Sequence, residues 1–119
     1  MGIFGIDHIA FRTADIARLR DFYAELLGAE RLEGAHAPLR VGGTTLVFFE
    51  EEAAVGADEL AFDADLEGFE RALAAARRLG ALEREPVEHT PWSRGFLVRD
   101  PDGRRIEVVC NDEGVWWRE

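Results

Sequence analysis

Cysteine is nearly absent from this chain: Cys110 is the single one in 119 residues, so no intrachain disulfide can cross-link the fold. Positive charge is also scarce. There are 14 Lys plus Arg against 24 Asp plus Glu, a formal balance of −10. A nucleic-acid backbone is held by clustered cations, so this balance argues against a nucleic-acid partner and disfavours an anionic membrane surface. An anionic substrate would need a metal ion or local arginines to offset the field of the whole chain. Long apolar runs are missing, and none approaches the roughly 18 residues of a membrane span. The N-terminus lacks the basic segment and following apolar run of a secretory signal. There is no low-complexity tract and no long linker. These absences point to the reducing cytoplasm.

What is present suffices for a core. Hydrophobic residues make up 47% and charged residues 32%. The length fits one compact domain spanning 1–119. Within it the sequence repeats itself. Asp7-His8-Ile9-Ala10-Phe11 returns as Asp58-Glu59-Leu60-Ala61-Phe62, with three of five positions identical. Each copy leads into a helical stretch that starts near an Asp, Asp15 or Asp65. The stretches end in Leu27-Gly28-Ala29 and Leu79-Gly80-Ala81. The repeats occupy 1–53 and 57–112, and each is about half a domain, too small to fold alone. Glu50-Glu51-Glu52 and the small residues after it connect them. Residues 113–119 form a tail whose Val115-Trp116-Trp117 suits packing on the core or on a partner subunit.

Periodicity assigns the elements. Residues 5–12 alternate as a strand. Residues 15–27 form a helix with Ile16, Leu19, Phe22, Tyr23 and Leu26 on one stripe, closed by Gly28. Strands follow at 30–34, 37–41 and 44–51, the last two joined by a tight turn at Gly42-Gly43. The second half repeats the order: strand 58–63, helix 65–79 with Leu66, Phe69, Leu73 and Ala76 inward, then strands 82–88, 94–99 and 104–110. Asp100-Pro101-Asp102-Gly103 is a strong turn signal. Each half thus reads βαβββ, and the fold class is α+β.

Strand alternation divides the side chains between two faces. One carries Ile9, Phe11, Leu46, Phe48, Leu60, Phe62, Ile106 and Val108, all apolar, and must meet the helices. The other carries His8, Ala10, Arg12, Val47, Phe49, Glu59, Ala61, Asp63, Glu107 and Val109. Small residues beside ionisable ones there suggest a pocket floor, with Ala10 and Ala61 leaving room beside His8 and Glu59.

The first repeat word, its echo at Asp58, and Pro91-Trp92-Ser93-Arg94-Gly95-Phe96 leading to Asp100-Pro101-Asp102-Gly103-Arg104-Arg105-Ile106-Glu107 together resemble the vicinal-oxygen-chelate superfamily of glyoxalases, bleomycin resistance proteins and extradiol dioxygenases. The resemblance covers nearly the whole chain. It implies two βαβββ modules forming an open, cupped mixed β-sheet, often paired as a homodimer. It also implies a divalent metal (Zn, Mn, Fe, Ni or Mg) held by inward residues, which fall on His8, Glu59 and Glu107. Matching Gly43 with Gly103 puts the fourth ligand position of glyoxalase I on Val47, which cannot ligate. The implied chemistry is Lewis-acid stabilisation of an enediolate or oxyanion on a small oxygen-rich metabolite, with Glu59 or Glu107 moving a proton.

Other readings of the same residues stand beside this one. His8 and Glu107 could hydrogen-bond across a metal-free pocket. The chain could be a metal-free binding protein of the bleomycin-resistance type, taking an apolar or cationic ligand with Trp92, or a degenerate structural relative. Arg12 and Asp63 suit an ion pair as well as substrate contact. Phe49 and Trp92 would line the pocket. His36 and His89 read as surface histidines, though either could reach the pocket rim; Cys110 reads as a small core residue, and Arg104 and Arg105 as a solvated turn and strand start.

Overall fold

The computed structural model describes residues 2, 6, 8–52, 60–90 and 93–111, and of residues 89, 90, 93 and 111 the backbone only. The chain divides into two compact units, Met1–Val55 and Gly56–Glu119. The first runs β1 (His8–Thr13), α1 (Ile16–Leu27), β2 (Glu30–Arg31), β3 (Leu39–Val41) and β4 (Thr44–Glu50). The second runs β5 (Leu60–Ala64), α2 (Leu66–Arg78), β6 (Leu82–Thr90), β7 (Ser93–Arg99) and β8 (Arg105–Asn111). Each module builds one open four-stranded sheet, in the orders β1-β4-β3-β2 and β5-β8-β7-β6. The pairs β1–β4 and β5–β8 are parallel and the remaining pairs antiparallel, so both sheets are mixed.

Both helices start as their sequence implies. Asp15 is extended, and its carboxylate accepts from the Arg18 N–H at 3.0 Å. Asp65 accepts from the Gly68 N–H at 2.8 Å. Such a cap is worth about 1 kcal/mol, because it satisfies a donor that the first helical turn leaves open. Gly28 ends α1 in the left-handed conformation at φ 61°. Between β3 and β4, Val41 pairs with Thr44 across Gly42-Gly43, and Gly42 has φ 56°.

Each helix covers one face of its own sheet. In the first module Leu19, Phe22, Tyr23 and Leu26 are buried together with Phe11, Leu39, Leu46 and Phe48. Phe11 stacks on Tyr23 at 4.8 Å between ring centroids and on Phe48 at 5.6 Å, tying helix to sheet. In the second module Phe69, Ala72, Ala75 and Ala76 are buried, as are Phe96, Val98, Ile106, Val108 and Cys110. Phe69 meets Phe96 edge-on at 5.2 Å. The apolar face expected from strand alternation is therefore the helix face.

Three details differ from the sequence reading. The strands expected at 30–34 and 37–41 shrink to Glu30–Arg31 and Leu39–Val41. Consecutive left-handed residues, His36 at φ 67° and Ala37 at φ 49°, turn the intervening chain out of the extended region. Leu66 is 48% exposed, because the buried stripe of α2 begins a turn later at Phe69. Arg104 is not solvated: it is 4% exposed, with Nη1 3.1 Å from both Asp100 Oδ2 and Asp102 Oδ2.

That buried cluster organises the turn into β8. Asp100 Oδ1 accepts from the Asp102 N–H and the Arg104 N–H, each at 2.9 Å. The Asp100 C=O accepts from Gly103 N–H at 2.9 Å, with Gly103 at φ 90°. The guanidinium balances both carboxylates, and the turn sets where β8 begins pairing with β7 at Arg99–Arg105.

Two outcomes follow for urea unfolding. Arg104→Met should lower stability by about 3–5 kcal/mol, since it leaves two buried carboxylates without their cation. Phe48→Ala should lower it by a similar 3–5 kcal/mol through the cavity it opens. A loss below about 1 kcal/mol for Arg104→Met would show that the cluster does not bear on the fold.

Candidate functional site

Residues in register on neighbouring strands point to the same side of a sheet. In the first module His8 pairs with Thr45, Ala10 with Val47 and Arg12 with Phe49. These six share the face that α1 leaves open, opposite buried Phe11, Leu46 and Phe48. Arg40 is the register partner of Thr45 and Glu30 that of Arg40, so both join this face. In the second module Ala61 pairs with Glu107 and Asp63 with Val109, on the face opposite Phe62, Ile106 and Val108. Leu97 is the partner of Glu107 on the other side.

The register gives independent support for equating Val47 with Glu107. Ala10 and Ala61 are equivalent positions of the repeat; Ala10 pairs with Val47 and Ala61 with Glu107. The same strand position thus carries an alkyl group in one module and a carboxylate in the other. At the next position along, Arg12 stands where the second module has Asp63. The two open faces share a scaffold and differ in the side chains at these two positions.

Of the expected metal ligands, His8 is exposed at the start of β1. Glu107 sits mid-strand in β8 and is only 9% exposed, although α2 does not cover its face. Glu59 lies outside the described residues, as does Trp92. Among the described residues no group of three or more His, Cys, Asp or Glu side chains that could hold a metal is formed. One imidazole and one carboxylate, each on its module's open face, are donors that divalent first-row metals and Mg²⁺ accept.

Val47 and Phe49 are half-buried on the first module's open face. Arg12 lies there too, its Nη1 3.8 Å from Glu51 Oε1. Sequence position leaves one of their neighbours, His36, between the surface and the pocket rim. It is exposed, but its ring lies on Phe49, with centroids 4.2 Å apart and planes tilted by 32°. Its backbone C=O accepts from the Phe48 N–H at 2.9 Å, which holds the His36 segment beside β4. The sequence signal that could have found it is its loop position, opposite the end of a strand whose alternate residue is Phe49. The side chain of His89 lies outside what is described. No helix among the described residues is long and apolar enough to cross a membrane.

Solved structures of similar fold align over almost the whole chain. An integron cassette protein from V. cholerae matches at 26% identity and TM-score 0.75, covering 92% of this chain and 97% of its own. A glyoxalase/dioxygenase from Nostoc punctiforme matches at 29% identity and TM-score 0.73, covering 92% of both chains. The fosfomycin resistance protein FosX from Mesorhizobium loti, at 20% identity and TM-score 0.77 over 98% of both chains, shares the fold. No curated protein matches the sequence. The family profile described as the glyoxalase/bleomycin resistance protein/dioxygenase superfamily matches residues 5–108, and the chain belongs to that superfamily.

Proposed function

We propose that this chain is a metal-dependent enzyme acting on a small oxygen-rich metabolite, with His8, Glu59 and Glu107 holding a divalent cation. The observation that carries this reading is Glu107. A carboxylate withdrawn from water in mid-strand is costly unless it is engaged. Here it stands between Ala61 and Leu97 on the face without a helix, where Ala61 leaves space next to it. Such a residue on a helix-free sheet face is a candidate for chemistry rather than for packing.

The donor set of one imidazole and two carboxylates suits Zn, Mn, Fe, Ni or Mg. When bound, the cation supplies Lewis-acid polarisation of two neighbouring substrate oxygens. The chain's own residues do the rest. Glu107 or Glu59 accepts or returns a proton at the reacting carbon or oxygen. Ala10 and Ala61, each on its own module's open face, leave room beside the neighbouring side chains. Val47 contributes no donor, so this site has one ligand fewer than the four-ligand glyoxalase I arrangement. We further propose that the protein works as a cytoplasmic homodimer, a reading that its lone cysteine fits.

Metal analysis tests the proposal. Protein purified without chelator, or reloaded with Mn²⁺ or Zn²⁺ and desalted, should retain near-stoichiometric metal, and His8→Ala/Glu107→Ala should lose it. Equal, near-zero metal in both proteins would overturn it. The competing reading is a metal-free binding protein. Saturable tryptophan quenching by a cationic antibiotic that persists after metal stripping would favour that one.

A further inference from the structure

Asp102-Gly103 is the single Asp-Gly pair in the sequence, and the turn between β7 and β8 requires both residues. Gly103 has φ 90°, and a Cβ there would meet nothing within 4 Å, so the backbone rather than space demands glycine. Asp102 supplies one of the two carboxylates that meet the Arg104 guanidinium. Such a pair carries a chemical hazard. With no Cβ to hinder it, the glycine nitrogen can attack the aspartyl Cγ. An N–Cγ bond forms and a Cγ–O bond breaks. The oxygen leaves as water, taking the amide hydrogen and a proton from solvent. Water then opens the cyclic imide at either carbonyl. Opening at Cγ restores aspartate. Opening at the main-chain carbon leaves an isoaspartyl link, in which the chain runs through Cβ and Cγ. The sum is an isomerisation that needs no oxidant, reductant or cofactor.

Both reacting groups are held in this turn. Asp102 Oδ2 lies 3.1 Å from Arg104 Nη1, and the Gly103 N–H donates to the Asp100 C=O at 2.9 Å. The Asp102 and Arg104 N–H groups donate to Asp100 Oδ1, so the backbone on either side of the pair is fixed as well. Pro101 and Gly103 are exposed, yet the Asp102 side chain is only 3% exposed. Water could have solvated a carboxylate in such a turn; instead it is withdrawn onto a cation. Attack requires the amide to turn from Asp100 and release its hydrogen while the carboxylate gives up an oxygen. Each of these motions breaks one of the contacts.

We infer that Asp102 is a latent isoaspartate site that the Asp100–Arg104 cluster keeps closed. The inference goes beyond the enzyme reading and does not depend on it. An isoaspartyl link would add an atom to the main chain just before β8. That strand pairs with both β5 and β7 and carries Glu107 in register with Ala61 and Leu97. Keeping the site closed therefore protects the register that places Glu107.

Ageing of the full-length protein near neutral pH tests the inference, with the folded chain compared with the same chain in urea. Chromatography of the tryptic peptide that begins at Asp100 separates the isoaspartyl form from its isomer of equal mass. The folded protein should form it at least about tenfold more slowly, because reaction waits for local opening. Folding alone would slow the reaction too, so Arg104→Met is compared with Phe48→Ala, a destabilising change in the other module. With both variants held below their unfolding transitions, Arg104→Met should age at least about threefold faster, because it alone removes the cation that holds Asp102. If circular dichroism finds Arg104→Met unfolded, Arg104→Lys takes its place; it keeps the charge without the planar fork and should show the same margin of about threefold. Rates short of either margin overturn the inference. Neither measurement involves metal, so failure here is distinct from failure of the enzyme reading.

Discussion

The parallel pairing of the first and last strand of each module is the constraint on which the rest depends. Two parallel neighbours need a crossover between them, and here that crossover is α1 or α2. A helix crossing over a sheet must bury its apolar stripe on one face. That leaves the other face without a helix. Alternation then decides residue by residue which side chain packs and which remains available. Phe11, Phe48 and Tyr23 are committed by their stacking. His8, Ala10 and Arg12, one step out of phase on the same strand, lie on the other face.

The two modules use this constraint differently. Their strand orders are the same, and Ala10–Val47 is matched by Ala61–Glu107 in register. Yet at the matched positions one face carries Val47 and Arg12 and the other Glu107 and Asp63. The scaffold occurs twice; the open faces differ, while the buried ones are both apolar.

Much of the fold was legible in the sequence because its signals are local and periodic. The repeated Asp-x-x-Ala-Phe word, the capping Asp15 and Asp65 and the phase of the apolar residues need no knowledge of distant contacts. What was not legible depended on partners far along the chain. Arg104 looks like any arginine after a turn; its burial follows from two carboxylates folding back over it. The short β2 and β3 could not be foreseen, because the left-handed backbone between them is held by Arg20, more than ten residues away. His36 followed from the same long-range pinning. Of the candidate site, the facing of His8, Arg12, Val47, Phe49 and Glu107 came from parity alone. Glu59 and Trp92 lie outside the described residues, so their roles rest on the repeat and on the family resemblance.

The alternation along β1, β4, β5 and β8 also bears on how such a protein can change over time. Positions 10, 12, 47, 61, 63 and 109 can be rewritten one at a time without touching a buried ring, since their neighbours in sequence carry the core. A lineage can therefore explore new ligands by point substitution at little risk to folding. A single-residue insertion within those strands would exchange the two sets and expose the core at once. Substitution is the permissive route to new chemistry in this architecture, and length variation is confined to the loops.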